Sequence, residues 1–179
     1  MAKRGYTRDT IRGGASDWDV SRPFSSYLRL LATLLAHPAT FFDLLPKVSD
    51  VRAPALFLAF SGLPAAVVWF LFAGLYPALV ALVLPLPVSL PLAGLYHLGA
   101  LGGRYGFGVS WRVVAYPLGF VLPLVAVPVL RWAALAWACV LLVPLGIVRT
   151  QEVAAWRGFV SGVVAALVLA MLAVYAVLG

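Results

Sequence analysis

Charge is what this chain does without. From Ala53 to Gly103 it carries no Asp, Glu, Lys or Arg, and the gap recurs at Val113–Leu130, Trp132–Val148 and Gly158–Gly179. Charged residues make up 11% of the chain and hydrophobic ones 64%, with a mean hydropathy of +1.03. A soluble domain has about 25% and about 45–50%, so a water-soluble globule is excluded. A helix rises about 1.5 Å per residue, and about 20 residues cross a hydrocarbon core about 30 Å thick. The first gap is long enough for two crossings and each of the others for one. The expected fold class is an all-α polytopic membrane protein with five transmembrane helices.

Other scarcities limit the chemistry. The single cysteine, Cys139, lies inside an apolar run and supports neither a disulfide nor a cysteine metal site. There are two histidines, His37 and His97, and neither has a carboxylate beside it, so an H-E-x-x-H zinc motif is absent. Proton-coupled transporters place ionisable residues within their spans, and these gaps hold no Asp, Glu, Lys or Arg. Ser161 and His97 lie on different spans without a nucleophile motif around either, and each is expected to bond locally. Gly102-Gly103-Arg104-Tyr105-Gly106 lacks the strand and the spacing of a phosphate loop. No catalytic, cofactor-binding or metal-binding residues are expected, and His97 reads as an interfacial polar anchor. A polar stretch follows Lys3 and Arg4, so a cleavable leader is not expected.

The charge that is present marks the edges of the gaps. Lys3, Arg4, Arg8, Arg12, Arg22, Arg29, Lys47 and Arg52 precede the first span. Arg104 and Arg112 flank the loop between spans two and three, Arg131 falls between three and four, and Arg149 and Arg157 between four and five. With a cytoplasmic N-terminus every basic residue except Arg131 is inside, so the positive-inside rule selects N-in and C-out. The net charge of +7 is then a membrane-surface signal, and nucleic acid is not an expected partner.

Three regions follow. Residues 1–22 form a basic cytoplasmic tail. Residues 23–52 form an amphipathic interfacial segment, in which Phe24, Tyr27, Leu28, Leu31, Leu34 and Leu35 recur at helical spacing over Phe24–Ala36, too short to span. Pro23 suits the first turn and Pro38 stops the helix. Residues 53–179 form the membrane domain. Its first span is placed at Pro54–Leu75, with a tight turn at Gly74, Tyr76 and Pro77. The second, Ala78–Leu101, carries Pro85, Pro87 and Pro91 and should be kinked or broken. The third is placed at Trp111–Leu130, with Pro117, Pro123 and Pro128; the fourth at Trp132–Val148; the fifth from Gly158. The broken spans two and three are expected to pack against each other or a partner. Gly158 and Gly162, a small-xxx-small pair on span five, allow close helix approach within the bundle or to another protein. With Phe24, Tyr27 and Leu31 they are the residues expected to bind a partner.

Several short segments carry a resemblance. They are Pro38-Ala39-Thr40-Phe41-Phe42 before the first span, Leu98-Gly99-Ala100-Leu101-Gly102-Gly103 closing the second, and Trp111-Arg112-Val113-Val114-Ala115-Tyr116 opening the third, followed by Pro117, Pro123 and Gly146. In this order the chain resembles the Yip1 family of five-span membrane proteins, over Pro38–Gly179. The resemblance implies a cytoplasmic N-terminus and no catalytic set. Arginine outnumbers lysine 11 to 2, which points to a GC-rich bacterial genome and the inner membrane. The expected function is a non-enzymatic scaffold, assembly factor or accessory subunit that binds other membrane proteins within the lipid bilayer. The alternative is a small channel or small-molecule transporter built around spans two and three.

Overall fold

The computed structural model describes residues 18–19, 21–48 and 51–178, with side chains through 168 and at 170 and 171. The basic tail falls outside the described residues except for Trp18, Asp19, Ser21 and Arg22. Every regular element among the described residues is helical: α1 (Pro23–Ala36), α2 (Pro38–Asp43), α3 (Arg52–Ala73), α4 (Leu75–Val83), α5 (Pro85–Gly99), α6 (Phe107–Val125), α7 (Pro128–Ala136), a π-helical turn (Trp137–Leu142), α8 (Val143–Gln151) and α9 (Ala155–Leu178). Three of the helical stretches are long and apolar enough to cross a membrane: Arg52–Ala73, Phe107–Val125 and the continuous run Pro128–Gln151. A fourth joins them if α4 and α5, bent by 50°, count as one span.

The breaks lie where backbone chemistry puts them. Gly74 alone connects α3 to α4, with φ 91° and ψ −172°, a conformation that side chains with a Cβ avoid. At Leu84 the chain bends ahead of Pro85, which occupies the first helical position, where its missing N–H is no loss. The bend leaves a cavity of about 320 Å³ walled by Trp69, Val80, Leu84, Val88, Leu122 and Val125, among others. In span four the irregularity is a π turn. Val143 N–H reaches back five residues to the Ala138 carbonyl. The next such bond, from residue 144 to Cys139, cannot form because residue 144 is a proline. The Tyr96 hydroxyl from α5 donates to the Cys139 carbonyl at 2.6 Å instead.

Spans one, two and three pack together, with α5 along α6, and α9 docks on α5, the π turn and α8. Span three, expected to be broken like span two, is instead one continuous helix through Pro117 and Pro123. With α4–α5 and the run α7–α8 each taken as one span, consecutive spans alternate direction. One end of the bundle therefore gathers Arg52, the loop after α5, the C-terminus of α8 and the start of α9; it is called the basic end below, and the other the Gly74 end.

Span three ends at Val125 and span four begins at Pro128, where the sequence reading put the boundary at Leu130 and Trp132. Pro128 therefore opens span four and does not lie within span three. Span three begins at Phe107, four residues before Trp111, because Gly106 is the last extended residue. Arg112, expected beside the loop, is therefore in the second turn of α6 and wholly buried. The amphipathic arc of α1 is also divided. Ser26, Tyr27, Leu30 and Leu34 are buried, whereas Phe24, Leu28 and Leu35 are 65%, 51% and 53% exposed. Leu30, absent from the expected face, is one of the most buried positions.

Candidate functional site

The described polar side chains concentrate at the basic end, where the loop between α5 and α6 meets the turn between α8 and α9. Gln151 is the hub. Its amide nitrogen donates to Ser110 Oγ at 2.9 Å, its side-chain oxygen accepts Tyr105 N–H at 2.9 Å, and its backbone carbonyl accepts Arg104 N–H at 3.3 Å. His97 Nδ1 stands 2.9 Å from the same Ser110 Oγ, with the His97 ring edge-on to Phe107. Span two is thereby tied to span three, and span three to span four. Gly103 makes the tight loop fit, since a Cβ there would lie 2.8 Å from the Ala100 carbonyl and 3.1 Å from Gln151 Oε1.

Around this hub the charges are paired across elements. Arg104 meets Glu152 at 3.2 Å and Arg149 meets Asp43 of α2 at 3.5 Å, both partly exposed. The Lys47 ammonium lies 5.6 Å from the Tyr105 ring centre, and Arg157 donates to the Leu101 carbonyl. Burial pushes the Lys47 amine below its ordinary value, with Glu152 and Asp43 acting against that shift. Basic side chains outnumber acidic ones here, which leaves a positive platform that favours an anionic surface.

Among the described residues the Ser110–His97 contact is the arrangement that invites an enzymatic reading, and its surroundings oppose it. Ser110 is wholly buried, and the Gln151 amide already donates to its oxygen. A nucleophile needs its oxygen free to attack and a substrate beside it. The triangle satisfies buried polar groups and fixes three spans. Ser161, the serine that the sequence set against His97, donates to the Gly158 carbonyl at 2.7 Å and faces Gly99. Among the described residues, no three His, Cys, Asp or Glu side chains come together as a metal site. Ser110 and Gln151 were not singled out in the sequence; their only signal was polarity near the ends of two apolar runs.

The five expected partner-binding residues are dispersed. Gly158 and Gly162 face inward against span four: a Cβ on Gly158 would lie 2.9 Å from the Pro144 carbonyl, and one on Gly162 2.5 Å from Pro144 Cγ and 3.0 Å from the Cys139 carbonyl. The chain itself occupies that glycine face. Tyr27 is buried with its ring 5.3 Å from Phe57 and 5.1 Å from Phe60. Phe24 points outward and Leu31 is half-buried at the edge of the exposed stripe.

The N-terminal helices are part of the same core. Trp18 and Tyr27 stack on Phe60, Tyr27 on Phe57, Phe57 on Tyr116, Tyr116 on Phe41 and Phe41 on Phe42, with ring centres 4.8–5.8 Å apart. Trp18 N–H donates to the Tyr116 hydroxyl at 3.3 Å. Because α2 is also pinned by Asp43–Arg149, α1 has a fixed position at the basic end and displays the Phe24, Leu28 and Leu35 stripe from it. Compared with family models, with curated proteins and with solved structures, the chain shows no match.

Proposed function

We propose that this chain is a non-enzymatic integral protein of the bacterial inner membrane that binds other membrane proteins, as scaffold, assembly factor or accessory subunit. In this reading it has five spans, with α9 as the fifth, an N-terminus in the cytoplasm and a C-terminus outside. The basic end then faces the cytoplasm, in agreement with the distribution of arginine and lysine, and α1 lies along the interface.

The observation that carries the reading is the outward stripe of α1. An isolated amphipathic helix uses one apolar face, toward lipid. This helix has two: Tyr27, Leu30 and Leu34 are buried in the bundle, and Phe24, Leu28 and Leu35 remain exposed beside a positive platform held by Gln151. A rigidly presented apolar stripe with a charged neighbour is a surface for a helix of another membrane protein. The likeness to the Yip1 family belongs to the same proposal. It is supported by the convergence of three of its segments, Pro38–Phe42, Leu98–Gly103 and Trp111–Tyr116, toward the basic end.

The alternative of a channel or transporter draws on the cavity at the break in span two. The basic half of the same spans is filled by Leu92, Ala93, Tyr96, Val113 and Tyr116, all buried, which leaves the scaffold reading ahead. Photo-crosslinking amino acids placed at Phe24, Leu28 and Leu35 in native membranes test it. The expected result is the same discrete protein adduct from all three positions and none from Leu30. Adducts to lipid alone at all three, together with solute flux by the purified protein in liposomes, would replace it with the transporter reading.

A further inference from the structure

The cavity at the Gly74 end has walls from four helices: Trp69 of α3, Val80 of α4, Val88 of α5, and Leu122 and Val125 of α6 among them. It lies at the bend in span two. α4 and α5 meet at 50° just ahead of Pro85, and no described side chain fills the notch. The rim includes Tyr76, 78% exposed, and Leu84, 50% exposed, so the notch is reached from the side of the bundle. In the membrane placement proposed above, the molecules that reach this rim are lipids.

One charged group marks the edge. Arg131, in the first turn of α7, lies with its guanidinium carbon 5.2 Å from the Trp69 ring centre and donates through Nε to the Val125 carbonyl at 3.0 Å. Trp69 and Val125 are both wall residues, so two separate contacts hold the guanidinium at the mouth of the cavity. The bond to Val125 uses only Nε, and the two terminal nitrogens form the planar fork that fits a phosphate. Every other basic residue of the described membrane domain lies toward the basic end. Arg131 thus gives the otherwise apolar Gly74 end of the described membrane domain a single positive point.

We propose that the notch holds one acyl chain of an anionic phospholipid, with its phosphate on Arg131 and the chain running along the break in span two. About 320 Å³ is at the lower end of the range for ligand sites, about 300–1,000 Å³, and suits one chain rather than a whole lipid. The Tyr76 hydroxyl at the rim has the amphipathic character of residues that sit beside headgroups. The inference rests on the membrane placement proposed above and on neither the scaffold nor the transporter role.

The test uses the full-length protein, purified in mild detergent, stripped of lipid and titrated with phosphatidylglycerol or with diacylglycerol of the same chains, bound lipids being counted by native mass spectrometry. One phosphatidylglycerol is expected to bind more tightly than diacylglycerol. Arg131→Gln should weaken phosphatidylglycerol about fivefold and leave diacylglycerol unchanged. Val88→Trp, which fills the notch, should remove both. Equal binding of the two lipids by the unmodified protein, or unchanged phosphatidylglycerol binding by a folded Val88→Trp variant, would overturn the proposal. If Val88→Trp does not fold, phosphatidylglycerol brominated in mid-chain gives the same decision through fluorescence. A quenched component should be present in the unmodified protein and lost in Trp69→Phe, and identical quenching in the two overturns the site. A correctly inserted protein that fails these tests loses the lipid site alone, because insertion is read separately by fractionation.

Discussion

Removing one oxygen from Tyr96 tests how this bundle tolerates its prolines. The Cys139 carbonyl lies in a π turn whose next donor would be the N–H of residue 144, and Pro144 has none. Tyr96 is wholly buried and its hydroxyl donates to that carbonyl at 2.6 Å. Tyr96→Phe keeps the ring and leaves the carbonyl in an apolar interior. An unsatisfied buried acceptor costs about 1–3 kcal/mol in soluble proteins, whereas hydrogen bonds between membrane helices average about 0.6 and reach about 1.7 kcal/mol. The expected loss is about 1 kcal/mol, which for a chain of this length lowers Tm by about 2–4 °C. The assay is thermal unfolding in detergent of four proteins: unmodified, Tyr96→Phe, Pro144→Ala and the double variant. Pro144→Ala on its own is not diagnostic, since it also removes the contact of the Pro144 ring with Gly162. In its background, however, residue 144 regains an N–H and can satisfy the carbonyl. Tyr96→Phe should then cost half as much or less, and the cycle isolates the coupling. An equal loss in both backgrounds, or none in the unmodified protein, would refute the assignment of the Tyr96 hydroxyl to the proline break.

Three further outcomes are expected. Gly162→Leu forces side-chain atoms against Pro144, where even a Cβ stands at 2.5 Å, and should cost about 1–3 kcal/mol by overpacking while the protein still fractionates with membranes; unchanged thermal stability would contradict the inward glycine face. Arg104→Ala breaks a partly exposed ion pair and should change stability by less than about 1 kcal/mol, whereas Gln151→Leu removes two side-chain hydrogen bonds at the hub and should cost more than Arg104→Ala, as read by chemical denaturation in the same detergent. Alkaline phosphatase fused after Gly179 should be active and a fusion within Arg104–Ser110 inactive, and the reverse pattern would reject the N-in, C-out topology.

The parts of the fold that were legible in the sequence are those set by single residues or by exclusion. Charge exclusion gave the positions of the apolar helices to within a few residues. Pro23 and Pro38 bracket α1, Gly74 makes the turn after α3, and Pro85 marks the bend, because each acts through its own backbone. Arg112 shows where exclusion fails. A basic residue was assigned to the edge of a span because charge usually ends one, but the start of α6 is set by the extended backbone at Gly106, and the bundle is thick enough there to bury the side chain. The division of α1 was not legible for a different reason. Phe24, Leu28 and Leu35 and the buried Tyr27, Leu30 and Leu34 form adjoining stripes of one wide apolar arc, and periodicity gives the width of an arc without saying what covers each half.

The candidate site was less legible than the fold because it is made of pairings. Nothing about Ser110, His97 or Gln151 alone marks a hub, and the hub exists because the end of α8 arrives, 41 residues on from Ser110, beside the turn that joins α5 to α6. The same holds for the glycines. Gly146 and Gly119 look like any small residue in a span, yet each is a socket: a Cβ on Gly146 would lie 2.6 Å from Phe42 Cε1, and one on Gly119 2.6 Å from Phe57 Cε1. Phe42 belongs to α2 and Phe57 to α3, so these sockets seat aromatic side chains that also belong to the chain of rings linking Trp18 to Tyr116. A segment that length and polarity set apart as an interfacial appendage is therefore keyed into the spans at Gly146, a glycine whose purpose cannot be read until Phe42 is placed. That keying fixes where α1 stands, and it turns an ordinary amphipathic stripe into a surface presented at one place on the protein.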